Sequence, residues 1–317
     1  MNKKKIIVTG SCGFIGFHVC KCLIENNFKV IGIDNLDNYY DVKIKIRRLN
    51  LLRKDTNFKF YKKSILDRSL NKLVSKIKPN LIINLAAQPG VRYSFKNPQK
   101  YIDTNIKGFL NILEIMKDNK INKLIYASSS SVYGNSKKFP SRESMPLKPE
   151  NLYGLTKVFN EDMAKFYSQK FLISSIGLRF FTVYGKLGRP DMFIPKVITN
   201  MKKGKIIDLY NNGNHHRDFT YVDDISSVIN DIANNLLKSR KSNHEVFNLC
   251  YGNTVKIGKV IREVSKNLNI KPNIRNKKFQ LGDMYKTYGS NRKISKKYKF
   301  KNLIDITRGL KEVIDYD

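Results

Sequence analysis

Tyr153 and Lys157 stand four residues apart in NLYGLTKVFNEDMAKFY. On a helix that spacing sets both side chains on one face. A tyrosine is a weak base at its free pKa of about 10. A neighbouring ammonium favours the phenolate and lowers that value, so the pair is a candidate for moving a proton. Alone, tyrosine and lysine at this spacing are common helix decoration. Upstream, an apolar run leads into ASSSSVYG and carries Ser129 and Ser130 to a strand end. The C-terminal edge of a parallel sheet is where such folds bind ligands. Ser129 there can donate to a reacting oxygen or share its proton with Tyr153, with Ser130 as a second donor. The plainer reading is that both serines cap or line a loop.

A second constellation opens the chain. VTGSCGFIGFH sets Gly10, Gly13 and Gly16 between an apolar run and a helical pattern. Gly10 permits a tight turn, Gly13 lets backbone approach a pyrophosphate, and Gly16 lets the helix pack close to the sheet. The helix start offers unpaired N–H groups to phosphates. A glycine pattern by itself is weak; here a strand precedes it, a helix follows, and Asp34 ends the next strand. A carboxylate there can hold both ribose hydroxyls of an adenosine and repels a 2′-phosphate. No basic residue immediately follows in IDNLDN, which favours NAD over NADP. An oxidised nicotinamide would add to the ammonium's effect on Tyr153, and Lys157 can also hold its ribose.

These groups need a scaffold, and the chain reads as alternating strands and helices. Residues 5–9 (KIIVT) suit a strand buried on both faces. FHVCKCLIENN reads as a helix, with Phe17, Cys20, Leu23 and Ile24 near one face, and KVIGID as a second strand. DNYYDVKIKIRRLNLLRK is tyrosine-rich, then basic and helical. A buried strand is expected at 79–87, a helix over 101–118, a strand through NKLIYASS, a helix around 151–170 and a strand in ISSIGLRF. Parallel strands need crossover helices on both faces. The expected fold is therefore α/β, a doubly wound, Rossmann-like parallel sheet with a smaller C-terminal α/β domain. Beyond about residue 185 the pattern weakens, with helices expected at 193–203, 223–238, 257–268 and 304–315. The division expected is 1–185 for the dinucleotide and 186–317 mainly for a substrate, with later segments crossing back to the first part.

The composition bounds the partners. The chain has 317 residues, 41% hydrophobic, enough to build a core. Its 60 Lys and Arg against 26 Asp and Glu give a formal charge of +34, which raises nucleic acid or an anionic membrane as partners. But lysines recur along the whole length among many asparagines, with no basic tail or arginine block. No specific nucleic-acid partner is expected, and the charge helps attract an anionic substrate. Four cysteines, at 12, 20, 22 and 250, make no disulfide framework, and Cys20 and Cys22 have the wrong spacing for zinc or redox chemistry. The expected compartment is reducing cytoplasm. MNKKKIIVTG starts like a secretory segment, but its apolar run is too short, and no stretch reaches the ~20 apolar residues of a membrane span. The adjacent His215 and His216 invite a metal reading. Neighbouring side chains rarely chelate one ion and no cluster lies near, so no metal is expected.

TGSCGFIG, Asp34, AAQPGVRYS, YIDTNIKG, YASSSSVYG, YGLTK, LRFFTVYG and HRDFTYVDD together resemble the extended short-chain dehydrogenase/reductases, and among them the nucleotide-sugar 4-epimerases. The resemblance spans roughly residues 5–225, with a weaker match to the end. DNLDNYYD, QPGVRYS, SSSSVYG and GRPDM resemble the UDP-glucuronate 4-epimerase branch. Related dehydratases and decarboxylases carry an acid just before the VYG step; Ser130 and Ser131 stand there instead. The resemblance implies reversible C4 epimerisation of a UDP-sugar, UDP-glucuronate to UDP-galacturonate, through a 4-keto intermediate and bound NAD. UDP-N-acetylglucosamine or UDP-glucose is the alternative substrate. It implies Ser129, Tyr153 and Lys157 as the catalytic set. It extends the cofactor contacts from Gly10, Gly13, Gly16 and Asp34 to Phe14, Ile15, Asn35, Ser64, Ile65, Leu85, Ala86, Ala87 and Asn105. Relatives are often homodimers through two helices, here near 101–118 and 151–170.

For the sugar, the resemblance implies that Arg189 faces the carboxylate, and a guanidinium fork suits that group. Arg92 is a contact for the sugar or its phosphate, Arg217 a clamp for the diphosphate, and Thr182 takes a place where many relatives use Asn. Two departures stand out. Ser64-Ile65 replaces the usual Asp step beside the adenine. QLGDM, which brings Asp283 to the nucleotide, is followed by an unusual YKTYGSNRKI.

Overall fold

The computed structural model describes residues 3–278 and 284–316. In chain order the first half runs β1 (Lys5–Thr9), α1 (Phe14–Glu25), β2 (Lys29–Asp34), α2 (Val42–Leu52), β3 (Phe58–Lys62), α3 (Leu70–Ile77) and β4 (Leu81–Asn84). There follow α4 (Val91–Lys96), α5 (Pro98–Tyr101), a π-helical turn over Ile102–Lys107, α6 (Gly108–Asp118), β5 (Lys123–Ser129), α7 (Leu152–Phe171) and β6 (Ser174–Phe180). The remainder is β7 (Thr182–Tyr184), α8 (Phe193–Lys202), β8 (Ile207–Tyr210), β9 (His216–Arg217), β10 (Phe219–Tyr221) and α9 (Val222–Lys238). It ends with β11 (His244–Leu249), β12 (Val255–Lys256), α10 (Ile257–Leu268), β13 (Ile274–Lys277), α11 (Arg292–Lys297) and α12 (Ile306–Ile314).

Seven strands form one parallel sheet in the order β11-β6-β5-β4-β1-β2-β3. The order reverses between β1 and β4, and the crevice outside those strand ends is where an open α/β sheet takes its ligand. The apolar runs are buried on both faces as such a sheet requires: every residue of β4 and β6 is buried. Two apolar layers cover it. One joins α1 and α9 to the sheet through Phe17, Leu23, Val228 and Ile232. The other joins α3, α6 and α7 through Val74, Ile112, Met116 and Ala164. A separate core in the C-terminal part gathers Ile194, Val197, Ile207, Val260, Ile261 and Leu310.

The helix expected over 101–118 is present: it passes from Tyr101 through a π-helical turn at Ile102–Lys107, whose Asn105 carbonyl accepts from the Asn160 side chain at 2.7 Å, and continues as α6 to Asp118. One expectation is corrected and one strand was unforeseen. The strand expected over 79–87 pairs only across Leu81–Asn84, because the backbone then peels away toward the crevice. HEVFNL, which carries no strong alternation, forms β11 and adds the outer strand beside β6. β11, from the later part of the chain, is thus a strand of the seven-stranded sheet. The helices expected at 193–203, 223–238, 257–268 and 304–315 stand within a residue or two of α8, α9, α10 and α12.

Candidate active site

One cavity runs along the C-terminal ends of the strands, from the glycine turn to Arg189 and Met192. Its first end is built from backbone. Gly10 has φ +69°, and a Cβ there would stand 2.8 Å from the Ala86 nitrogen. A Cβ on Gly16 would stand 2.0 Å from the Gly10 carbonyl oxygen, so the first turn of α1 lies directly on the loop it caps. Asp34 ends β2 with its carboxylate held from two sides: Cys12 N–H donates to Oδ2 at 3.0 Å and Leu36 N–H to Oδ1 at 2.8 Å. Gly10, Gly13, Phe14, Ile15, Gly16, Asp34, Asn35, Ser64, Ile65, Leu85, Ala86 and Ala87 all line this part of the cavity. A glycine floor at a helix start with a fixed carboxylate on the neighbouring strand fits a dinucleotide, with its phosphates over the turn and its ribose hydroxyls at Asp34.

Ser64 lines the cavity beside Ile65 and Leu66. Its N–H donates to Asp67 Oδ2 at 2.9 Å, and its hydroxyl accepts from Leu66 N–H at 3.1 Å. The hydroxyl proton is left for the cavity. Asn105 does not line the cavity. It buttresses it from behind: its side chain accepts from Gln88 N–H at 2.7 Å and donates to the Gln88 carbonyl and the Thr156 hydroxyl.

The middle of the cavity carries Ser129, Tyr153 and Lys157 together. α7 begins at Asn151, whose side chain accepts from Gly154 N–H at 2.8 Å. That cap fixes where the first turn presents Tyr153. The Lys157 ammonium lies 5.9 Å from the centre of the Tyr153 ring and donates to the Ala127 carbonyl at 3.0 Å. Burial pushes the Lys157 ammonium down to about 8, and Glu161, one turn further along α7, acts against that fall. Burial also holds the Tyr153 phenol above its ordinary value, while a hydrogen bond with Ser129 and the Arg189 charge pull it down. The expected lowering of the phenol is thus not achieved by protein groups alone, and the groups that favour the phenolate here are Ser129 and Arg189.

Behind the trio lies a buried network. Arg179 on β6 donates Nε to Glu161 Oε1 at 2.9 Å and Nη2 to Oε2 at 2.6 Å. Glu161 also accepts from the Ser128 hydroxyl at 2.5 Å, and Arg179 Nη1 donates to the Tyr133 hydroxyl, which in turn donates to Asn248. Ser128 precedes Ser129, so the pair anchors the strand end that carries the catalytic candidate.

The far end is built from long side chains. Arg189 lines the cavity and stacks 5.6 Å from the Tyr39 ring. Its fork is filled by Asp191, Nε to Oδ1 at 3.0 Å and Nη2 to Oδ2 at 2.6 Å. Arg48 of α2 is fully buried and donates to the carbonyls of Cys12, Leu187 and Gly188 and to the Tyr40 hydroxyl. It ties the glycine turn to the loop that carries Arg189. Four sugar-site candidates do not line the cavity. Ser130 is in the 3-10 turn after β5, and Thr182 starts β7 with its N–H on the Asp218 carbonyl. Arg92 on α4 lies 5.8 Å from the Tyr210 ring, and Arg217 donates to the His216 and Tyr285 carbonyls. Asp283 falls outside the described residues.

Residues 6–250 match the model of the NAD dependent epimerase/dehydratase family. The chain belongs to that family. Its cofactor is NAD, in keeping with the glycine turn and Asp34. The UDP-glucuronate 4-epimerase of Thermodesulfobacterium geofontis is 36% identical over 98% of this chain and 95% of its own. The crystal structure of UDP-glucuronic acid 4-epimerase from Bacillus cereus, in complex with UDP-glucuronic acid and NAD, is 32% identical, with a TM-score of 0.91 over 98% of each chain. A UDP-N-acetylglucosamine 4-epimerase from Methanobrevibacter ruminantium, in complex with UDP-N-acetylmuramic acid, is 27% identical, with a TM-score of 0.87 over 100% of this chain and 98% of that one.

The glycine turn was legible in the sequence; Arg48, Gln88, Glu161 and Asp191 were not singled out there. Two of these had a local signal: Glu161 follows Lys157 by four residues on one helix face, and Asp191 follows Arg189 by two. Arg48 had none, since one arginine in RRLN looks like the others. Among the described residues no group of acids, histidines and cysteines is placed to hold a metal ion, and no helix is long and apolar enough to cross a membrane.

Proposed function

We propose that the protein inverts C4 of UDP-glucuronate, giving UDP-galacturonate, through a transient 4-keto sugar while NAD stays bound. One observation carries the choice of sugar: a guanidinium, Arg189, lines the same cavity as Ser129, Tyr153 and Lys157. A carboxylated sugar supplies the partner such a fork takes best.

When bound, the nicotinamide supplies a reversible two-electron acceptor at C4. Tyr153, as phenolate, takes the 4-hydroxyl proton and later returns it. Ser129 donates to the same oxygen and steadies the phenolate. Lys157 holds its positive charge beside the phenolate and serves the nicotinamide ribose. Between the two half-reactions the keto sugar turns and presents its other face, which needs a firm grip on UDP and a loose one on the ring. Arg92, Ser130, Thr182, Arg217 and Asp283 are our candidates for the outer grip. A 4-keto group lies β to the carboxylate and eases loss of carbon dioxide; Arg189 suppresses it by holding the carboxylate away from the orientation in which that bond breaks. In this reading residues 1–185, with α9 and β11, hold the cofactor, and the rest of 186–317 holds the UDP-sugar.

Two further parts of the reading concern the setting. Leu110 of α6 and Leu155, Phe159 and Phe166 of α7 are exposed. Large apolar groups on two neighbouring helices favour a homodimer through them. All four cysteines are free, which suits the cytoplasm.

The test is direct conversion. The purified protein is incubated separately with UDP-glucuronate, UDP-N-acetylglucosamine and UDP-glucose, with and without NAD, and products are resolved by anion exchange and NMR. The C4 epimer from UDP-glucuronate alone is expected. Conversion of UDP-N-acetylglucosamine in its place would keep the chemistry and overturn the role of Arg189. Tyr153→Phe is expected to lower kcat by about 10²–10⁴-fold with an unchanged melting temperature. Near-normal turnover in that variant would remove Tyr153 from the mechanism.

A further inference from the structure

The Arg189 fork, read above as the grip on the substrate carboxylate, is already occupied. Asp191 takes it from two residues along the same loop, in the side-by-side geometry that an incoming carboxylate needs. The Tyr39 hydroxyl also donates to Asp191 Oδ2, at 3.4 Å. Arg189 and Asp191 differ in setting: their side chains are 19% and 36% exposed, and only Arg189 lines the cavity. The carboxylate reaches the fork from the rim, with water on its other side.

The loop beneath them is fixed independently. Arg48 holds the carbonyls of Leu187 and Gly188 just before Arg189, so the backbone does not depend on the Arg189–Asp191 pair. Arg48 has no carboxylate within ion-pair distance among the described residues, and its charge and that of Arg189 repel. Without Asp191, neither guanidinium has a carboxylate partner among the described residues. Removing one partner of a partly buried pair leaves the other charge less compensated, which is unfavourable. A neutral sugar offers nothing to replace the lost partner, whereas an anionic one does.

We propose that Asp191 is a specificity-determining stand-in for the substrate carboxylate: it keeps Arg189 paired in the free enzyme, and only a carboxylated sugar displaces it to the solvent rim. The exchange conserves one ion pair at the fork. Neutral sugar nucleotides leave the Arg189–Asp191 pair intact and gain no contact there. The proposal rests on the reading of Arg189 as the carboxylate's partner.

The experiment measures KM and kcat of the NAD-loaded enzyme with UDP-glucuronate, and the inhibition constant of UDP-glucose against it as the neutral comparison. The wild type and Asp191→Asn, Asp191→Glu and Arg189→Ala variants are compared. Asp191→Asn removes the competitor, so KM for UDP-glucuronate is expected to fall about three- to tenfold with kcat retained, an effect sized for a partly solvated pair. The inhibition constant of UDP-glucose is expected to hold. Asp191→Glu keeps a competing carboxylate, and KM is expected to return toward the wild-type value. If Asp191 merely props Arg189 in place, Asp191→Asn raises KM; that result, or no change, overturns the proposal. If Arg189→Ala harms both sugars equally, the underlying reading of Arg189 fails. If Arg189→Ala is selective while Asp191→Asn does not lower KM, the exchange alone fails. Should Asp191→Asn not fold, judged by thermal unfolding, Asp191→Ser carries the same test.

Discussion

The two ends of the cavity are made of different material. At the cofactor end the contacts are backbone: a turn through Gly10, the start of α1 laid on that turn, and a carboxylate fixed by two N–H groups. At the sugar end they are long charged side chains with partners of their own, Arg189 with Asp191 and Arg48 with three backbone carbonyls and Tyr40. A site walled by backbone suits one ligand in one pose, whereas side chains can change partners, which suits the release and recapture of a ring that the proposed function requires. An epimerase needs both, because the same C4 must be presented twice from opposite faces.

The largest expected effect breaks the first end. Gly16→Ala drives a methyl to within 2.0 Å of the Gly10 carbonyl oxygen. That neighbour is backbone, so the helix must lift off the turn. Loss of bound NAD and a melting temperature several degrees lower are expected, read by cofactor absorbance after desalting and by calorimetry. At the sugar end the approach beside Arg189 is milder: a Cβ on Gly188 would stand 2.9 Å from a side-chain carbon of Pro195. Retention of stoichiometric NAD in Gly16→Ala would show that the turn has more room than its geometry gives it.

The second effect tests what joins the ends. The Glu161–Arg179 pair lies 7% and 4% exposed behind Ser129, Tyr153 and Lys157, hydrogen-bonded on both sides. Glu161→Gln keeps the shape and removes the charge, leaving the guanidinium unbalanced. A loss of about 3–5 kcal/mol in stability is expected, measured by denaturant unfolding. The Lys157 ammonium also loses the charge that now acts against its depression. In the variant Lys157 is expected to titrate lower still than about 8, seen as a shift in the pH dependence of its chemical labelling. An unfolding curve that superimposes on the wild type would reduce the network to decoration.

The same contrast sorts what could be read from the chain. The glycine turn, Asp34 and the Tyr153–Lys157 spacing were legible because each expresses a local constraint: a turn only glycine fits, a strand end, a helix repeat. The sheet was legible because KIIVT and LIIN are continuous apolar runs. β11 was not, since HEVFNL mixes charge and apolar groups and its strand state comes from pairing with β6. The π turn inside the helix over 101–118 has its Asn105 carbonyl taken by Asn160, more than fifty residues away, and no window of sequence contains both. Arg48 was missed for a related reason. Its role is a partnership across loops, and residue type alone does not distinguish a buried arginine from the many on the surface.

The smallest expected effect sharpens the comparison by pH. Asp218, at the junction where the C-terminal part meets the sheet, is fully buried. Its carboxylate accepts from Tyr251 N–H at 2.8 Å, Gly252 N–H at 3.2 Å and Gly289 N–H at 3.3 Å. Unlike Glu161 it has no cationic partner within 4 Å among the described residues. Burial pushes it up to about 7, and the three N–H groups act against that rise without cancelling it. The sign follows from proton counting. Between the unfolded value of about 3.9 and about 7 the folded chain holds a proton that the unfolded chain has lost, so stability falls as pH rises through that window. Asp218→Asn has no proton to lose and is expected to flatten the slope there by an amount on the order of 1–3 kcal/mol across the window. Because other carboxylates titrate in the same range, the difference between wild type and variant is the measurement, taken by urea unfolding at intervals from pH 4 to 8. Parallel curves would mean that the backbone N–H groups hold Asp218 ionised, and the junction would then resemble the cofactor end, where backbone N–H groups alone fix a carboxylate, more than the sugar end.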